Sequence, residues 1–176
     1  MLYSQAAQVV AKQEMDLTLP SRPAEAQQWL MRRSGAREGQ LAVFGREEWF
    51  APVASGSNPA DAMVVCPCSM GTLAAIAHGS SDNLIERAAD VSIKEQRKLV
   101  LVPREAPFSA IHLENMLKLA RLGVVILPPS PGFYTHPKTV DDMIDFVVAR
   151  VLDQLHIDNQ LTPRWGEASP DTPTAP

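Results

Sequence analysis

Ala62-Met63-Val64-Val65-Cys66-Pro67-Cys68-Ser69-Met70-Gly71-Thr72-Leu73-Ala74-Ala75 is the stretch on which the fold turns. Ala62 to Val65 is a short apolar run with two β-branched residues, the pattern of a buried strand in a parallel sheet. Proline has no N–H to give a ladder, so Pro67 is expected to end the strand. Ser69 then stands where a helix N-cap belongs, and Gly71 to Ala77 can carry the helix onward. A strand that enters a helix through a tight turn aims free backbone N–H groups and the positive end of the helix dipole at one spot. That spot suits an anion such as a phosphate. Ser69 and Thr72, three residues apart, add two hydroxyls on the same side of the first turn. Taken alone, Ser69 reads equally well as a plain helix cap.

Downstream, Ser81-Asp82-Asn83 is expected to cap a helix reaching about Arg97. Leu99 to Val102 is a second buried strand, with Arg104 and Glu105 just past its carboxyl end. Ser109 to Leu122 reads as a helix stopped by Gly123. Val124 to Leu127 is the next strand, closed by Pro128-Pro129. Gly132 to Pro137 is a loop, and Thr139 caps a last helix through about Leu155. Upstream, Met1-Leu2-Tyr3 looks like the tail of a strand. Ser4 opens a helix over Gln5 to Gln13, closed by Glu14-Met15-Asp16, and Leu17 to Pro20 is extended. Pro23 to Arg33 is a second helix, with Pro23 in its first turn and Gly35 past its end. Leu41 to Phe44 reads as a short strand, followed by a loop through Ser57.

Helices thus alternate with continuously apolar strands. That is the signature of a doubly wound α/β fold, a parallel sheet with helices on both faces. One domain over residues 1–166 is expected, followed by a disordered tail over 167–176, where Ser, Pro, Thr and Ala dominate. In such sheets ligands lie beyond the carboxyl ends of the strands. Those ends carry Cys68 to Thr72, Arg104-Glu105 and Pro131 to Tyr134, so the three loops are expected on one edge.

The chain has 176 residues, 45% hydrophobic and 20% charged, with a net charge of −4, the balance of an ordinary globular domain. The acidic balance and the lack of any basic run argue against a nucleic-acid or anionic-membrane surface. Two cysteines at C-x-C spacing have no further ligand at metal-binding spacing, so no metal site is expected and both read as reduced thiols of a cytoplasmic protein. There is no signal-peptide pattern and no run long enough to span a bilayer.

Several side chains could carry chemistry. Arg104 could grip a phosphate bidentately, or form a surface ion pair with Glu105. Glu105 could serve as an acid or base. Tyr134 could donate its hydroxyl to an anion or pack as a lid residue. Glu14 sits at a helix C-terminus, an unfavourable place for an acid. Arg150 and Lys94 read as solvated charges unless something gathers them. Trp49 is a ligand wall or an interface anchor. His78, His112, His136 and His156 are scattered, with no Ser/His/Asp arrangement.

Four segments occur in an order that is specific when taken together. They are Pro67-Cys68-Ser69-Met70-Gly71-Thr72-Leu73, Asn83-Leu84-Ile85-Glu86-Arg87-Ala88-Ala89-Asp90-Val91, Leu101-Val102-Pro103-Arg104-Glu105-Ala106-Pro107 and Pro131-Gly132-Phe133-Tyr134. They closely resemble the UbiX-type flavin prenyltransferases from about Ser4 to about Glu167. The resemblance implies a flavodoxin-like fold and a metal-independent transfer of a dimethylallyl group from dimethylallyl phosphate to N5 and C6 of reduced FMN. The product would be a cofactor for UbiD-type decarboxylases, as in ubiquinone synthesis. By position, Ser4, Ser69, Met70, Gly71, Thr72 and Arg104 resemble the FMN contacts. Tyr134 and Arg150 resemble the groups that hold the prenyl phosphate, with Arg87 and Lys94 as further phosphate ligands. Glu14 and Glu105 resemble the acid/base residues, and Trp49 the aromatic wall that shields the prenyl cation. The resemblance also implies a homododecamer with sites at subunit interfaces.

The chain departs from that pattern at its start. Family members open with a strand and a Gly-Ala-Ser-Gly turn that belongs to the FMN site. Neither is present here, and the family's Ser-Lys-Ala is Ser4-Gln5-Ala6. Met1 is therefore read as an internal methionine of a longer protein, and the 176-residue chain is expected to bind FMN poorly and to aggregate. A catalytically impaired oligomer-forming homologue and another flavin-dependent decarboxylase of the same architecture are the alternatives.

Overall fold

The computed structural model describes residues 1–165. The expected tail over 167–176 lies outside them. Three strands form one sheet in the order β1 (Ala62–Cys68), β2 (Lys98–Pro103), β3 (Val125–Ile126). Six helices accompany them: α1 (Gln5–Met15), α2 (Pro23–Ser34), α3 (Met70–His78), α4 (Leu84–Lys94), α5 (Ala110–Arg121) and α6 (Val140–Gln154). The alternation of strand and helix along the chain is the expected α/β pattern. The chain separates into two compact units: Met1–Met63 with Ala74–Arg97, and Val64–Leu73 with the chain from Lys98 onward.

The sheet belongs almost wholly to the second unit. β2 and β3 run parallel, with Val100 opposite Val125 and Leu101 opposite Ile126. Leu99, Val100, Leu101 and Val102 are all at or below 1% exposed. Such burial on both faces explains why β2 reads as an unbroken apolar run rather than an alternation. Those four side chains contribute roughly 6–12 kcal/mol of burial as an upper bound. α5 packs against β3. Ser109 caps α5 through a reciprocal box with His112, whose Nδ1 accepts the Ser109 N–H at 3.2 Å. His112 is thus a capping residue.

Two strand assignments are corrected in the second unit. β1 runs past Pro67 to Cys68 rather than ending at Val65. The Cys68 carbonyl accepts the Arg104 N–H at 3.2 Å, so that residue faces β2. Alternation then turns the Pro67 nitrogen to the other edge, where its missing N–H costs β2 nothing. β3 is shorter than Val124–Leu127, although the Leu127 N–H still donates to the Leu101 carbonyl at 2.8 Å.

In the first unit, Ser4 caps α1 as expected, its Oγ accepting the Ala7 N–H at 3.1 Å. The helix runs two residues beyond Gln13 and stops at Asp16, whose φ of 51° breaks it. Pro23 opens α2, and Gly35, at φ 69°, closes it. Neither Met1–Tyr3 nor Leu41–Phe44 is a regular strand. The two segments touch at one point: the Met1 amino group donates to the Ala42 carbonyl, and the Phe44 N–H donates to the Met1 carbonyl at 3.0 Å. These bonds flank buried Val43 as in a parallel ladder, but one such step does not make a strand. α4 ends at Lys94 rather than near Arg97, because Gln96 adopts a φ of 54°. Its N-terminus is well tied: Asn83 Oδ1 accepts from Ile85 and Glu86, and its Nδ2 donates to the buried Glu86 carboxylate at 2.6 Å.

Candidate active site

β1, β2 and β3 share an edge at their carboxyl ends, and the second unit places its chemistry there. At the end of β1, Ser69 is the N-cap of α3. Its carbonyl accepts the Leu73 N–H at 2.9 Å, and its Oγ accepts the Thr72 N–H at 3.2 Å. The same hydroxyl donates to Thr72 Oγ1 at 3.1 Å. Among the described residues, the Met70 and Gly71 N–H groups donate to nothing. These two donors lie at the positive end of α3. A Cβ added at Gly71 would meet only Ser69 Oγ, at 3.9 Å, so this face of the turn is open to close approach.

Arg104 follows β2 directly, and its backbone is tied to the Cys68 carbonyl. Its side chain is exposed and forms no ion pair among the described residues. Glu105 is exposed beside it and accepts the Ala106 N–H at 3.1 Å. The surface Arg104–Glu105 ion pair weighed from sequence does not form. Two free N–H groups, the Thr72 hydroxyl and an uncommitted guanidinium on neighbouring strand ends make a donor set that fits a phosphate dianion, such as the phosphate of a flavin mononucleotide. Cys68, fully buried beneath this turn, is no nucleophile. Burial, with a smaller contribution from the nearby Cys66 thiol, pushes its pKa up to about 12.

The end of β3 supplies a second arrangement. A cavity of about 290 Å³ is lined by Ile126, Leu127, Pro128, Phe146, Val147 and Arg150, among others. Ser130, Gln154 and the Arg150 guanidinium line it alongside apolar Leu127, Phe146 and Val147, so the recess is part polar and part apolar. Arg150 Nη1 donates to Asp153 at 2.8 Å. Tyr134 lies in the loop after β3 and meets Phe146 edge-on, with centroids 5.8 Å apart. On its other side it meets Trp165 at 4.8 Å. Phe146 thus meets the Tyr134 ring and also lines the cavity that Arg150 lines. Phe146, Trp165 and Asp153 carried no signal in the linear pattern. Phe146 and Asp153 look like ordinary residues of an amphipathic helix, and Trp165 stands at the edge of a polar tail.

The remaining candidates belong to the first unit. Ser4 and Glu14 sit at opposite ends of α1, about 15 Å apart by helical rise. Arg87 is engaged: its Nε donates to the Ala54 carbonyl at 2.9 Å and its Nη1 to Asp90 at 2.7 Å. It ties the short 3₁₀ turn Pro52–Ala54 to α4. Lys94 pairs with Glu95, and that hydrogen bond holds the Glu95 carboxyl below its usual range. Trp49 is 44% exposed beside a fully exposed Phe50. Among the described residues there is no cluster of metal-ligating side chains, and no helix is long and apolar enough to cross a membrane.

The pattern of the family described as Flavoprotein matches residues 1–152. The flavin prenyltransferase UbiX of Pseudomonas aeruginosa is 60% identical over 166 residues, spanning 94% of this chain and 79% of its own. That of Alkalihalophilus pseudofirmus is 48% identical over 167 residues, spanning 95% and 82%. Among solved structures, AnUbiX (PadA1) in complex with FMN and dimethylallyl pyrophosphate is similar with a TM-score of 0.81 and 43% identity, over 96% of this chain and 82% of that one. A dodecameric FMN-dependent UbiX-like decarboxylase from Escherichia coli O157:H7 gives 0.80 and 44%, over 94% and 82%.

Proposed function

The chain belongs to the UbiX-type flavin prenyltransferase family, and from that premise we propose that it transfers a dimethylallyl group from dimethylallyl phosphate to N5 and C6 of reduced FMN. The observation that supports this most directly is the pair of arrangements on one sheet edge: a turn with two unspent backbone N–H donors after β1, and a partly apolar recess bearing a guanidinium at β3, two strands along. A prenyl phosphate needs both an anion grip for its head and a dry pocket for its tail.

In this reading Ser69, Met70, Gly71, Thr72 and Arg104, with Ser4, hold the flavin phosphate and ring. When bound, reduced FMN supplies the electron-rich positions that accept the prenyl group. Tyr134 and Arg150 grip the prenyl phosphate, with Arg87 and Lys94 as further cations. Their role grows as the bond to the phosphate breaks, because negative charge then builds on the departing oxygen. Glu105 and Glu14 move protons at the leaving phosphate and at the acceptor. Trp49 offers a π face to the developing allylic cation, and the apolar side chains on one side of the recess, Leu127, Phe146 and Val147, shield it from the water that would quench it. The chain acts in the cytoplasm as a homododecamer. It hands its product to a UbiD-type decarboxylase.

The test is direct. Anaerobic mixing with reduced FMN and dimethylallyl phosphate should produce the absorbance change of a prenylated flavin. Arg150→Ala should abolish it at subsaturating prenyl phosphate. No spectral change with FMN demonstrably bound would overturn the reading.

A further inference from the structure

Asp153 has no part in the reaction as set out above, yet three side chains converge on its carboxylate. Arg150 Nη1 donates to Oδ2 at 2.8 Å. Asn159 Nδ2 donates to Oδ1 at 3.1 Å. Arg164 Nη2 lies 4.0 Å from that same Oδ1. The carboxylate side chain is only 25% exposed. Asn159 and Arg164 belong to the segment after α6, and this segment brings the Trp165 indole against Tyr134. One acid therefore links the guanidinium at the cavity wall to the segment that packs on the tyrosine.

We propose that Asp153 is a positioning residue for the prenyl-phosphate end of the site: it fixes the orientation of Arg150 and anchors the segment that seats Trp165 on Tyr134. The inference rests on Arg150 and Tyr134 being the phosphate grip. A long flexible cation loses rotamer freedom when it grips an anion, and a carboxylate that already holds it removes that cost beforehand. Guanidinium carries five N–H donors. Asp153 takes one nitrogen at hydrogen-bond distance, and the rest remain for a phosphate. A carboxylate near an anion site also repels the anion. Arg150 and Arg164 outweigh that charge two to one, so the cluster stays attractive to phosphate. Positioning and repulsion predict opposite signs when the charge of Asp153 is removed, which makes the proposal decidable.

Asp153→Asn, Asp153→Glu, Asn159→Ala and Arg150→Ala are compared in the full chain. Dimethylallyl phosphate binding is measured by calorimetry, alongside steady-state kinetics and thermal unfolding. Asp153→Asn should weaken dimethylallyl phosphate binding roughly 5- to 10-fold, about the net worth of one ordinary hydrogen bond, since Asp153 acts only through Arg150. It should raise KM by a similar factor, leave kcat within about two-fold and leave FMN affinity unchanged, a split that general loss of structure would not give. Asp153→Glu should recover part of the loss. Unchanged or tighter binding in Asp153→Asn overturns the proposal. If that variant does not fold, Asn159→Ala takes its place, since it frees the segment while leaving the Arg150 bond intact. A loss of about two-fold supports the proposal and no loss overturns it. Arg150→Ala separates the two layers of argument. If it leaves binding intact, the phosphate-grip reading itself fails. If it weakens binding while Asp153→Asn does not, only the positioning role falls.

Discussion

Gly132→Ala tests the Tyr134 arrangement with a single methyl group. Gly132 has φ −87° and ψ 139°, an extended backbone that alanine adopts freely, so the perturbation is purely steric. The added Cβ would stand 2.6 Å from Tyr134 Cε1, 2.9 Å from its Cδ1 and 3.2 Å from Phe146 Cζ. The tyrosine ring must therefore leave. It then loses its edge contacts with Phe146 and Trp165. Each such aromatic pair is worth about 0.5–1.5 kcal/mol beyond burial, and the half-exposed ring puts the sum near the lower end, about 1–2 kcal/mol. Glycine to alanine stiffens the unfolded chain and returns about 0.4–1 kcal/mol. The net destabilisation expected in urea unfolding is thus about 0–1.6 kcal/mol, small enough that the fold survives. The functional effect should be larger in proportion. On the proposed role of Tyr134 as a phosphate donor, displacing its hydroxyl should weaken prenyl-phosphate affinity about 10-fold. A double-mutant cycle with Tyr134→Ala isolates the cause. In that background most of the clash is gone, Phe146 Cζ alone remaining close, so the two substitutions should be coupled by about 1 kcal/mol. Additive stabilities, together with unaltered prenyl-phosphate affinity in Gly132→Ala, would refute the reasoning.

Three further outcomes are expected. Ser69→Ala removes the α3 cap and a hydroxyl of the proposed phosphate-binding turn; it should cost about 1 kcal/mol in unfolding free energy and lower flavin affinity, measured by fluorescence titration. Leu101→Ala, at the centre of the fully buried β2, should cost about 2–5 kcal/mol and cut soluble yield, far more than alanine at exposed Leu113. The Cys68 thiol gives a pH signature. Its folded pKa is about 12 against an ordinary 9.0. Between those values the unfolded state has released its proton and the folded state has not, so stability falls as pH rises through that window, by up to about 1.4 kcal/mol per unit. Cys68→Ala should flatten that slope in urea midpoints; an equal slope in both proteins would rule the thiol out.

Much of the fold was legible in the linear pattern because the signals are local. Val64-Val65, Leu99 to Val102 and Val124 to Leu127 are apolar runs too short for helices. Ser4, Asn83, Ser109 and Thr139 are caps whose side chains satisfy backbone donors within three residues, and all four do so. The errors fall where the backbone's partner is remote. Leu41–Phe44 carries the propensity of a strand, but among the described residues its backbone pairs at a single step, with Met1. β1 continues through Pro67 because one edge of the strand tolerates a missing donor, a fact about neighbours rather than about proline.

The site divides along the same line. Sequence alone determined that hydroxyls, glycine and a helix start follow β1, and that Arg104 follows β2, because each is a matter of adjacency in the chain. Only the tertiary structure decided that the Cys68 carbonyl and the Arg104 N–H join those two strand ends, that Phe146 meets Tyr134 and lines the same recess as Arg150, and that Asp153 draws together Arg150, Asn159 and Arg164. Helix and strand periodicity fixes which way a side chain faces, whereas the partner it finds depends on parallel strand register and on segments that return from far along the chain.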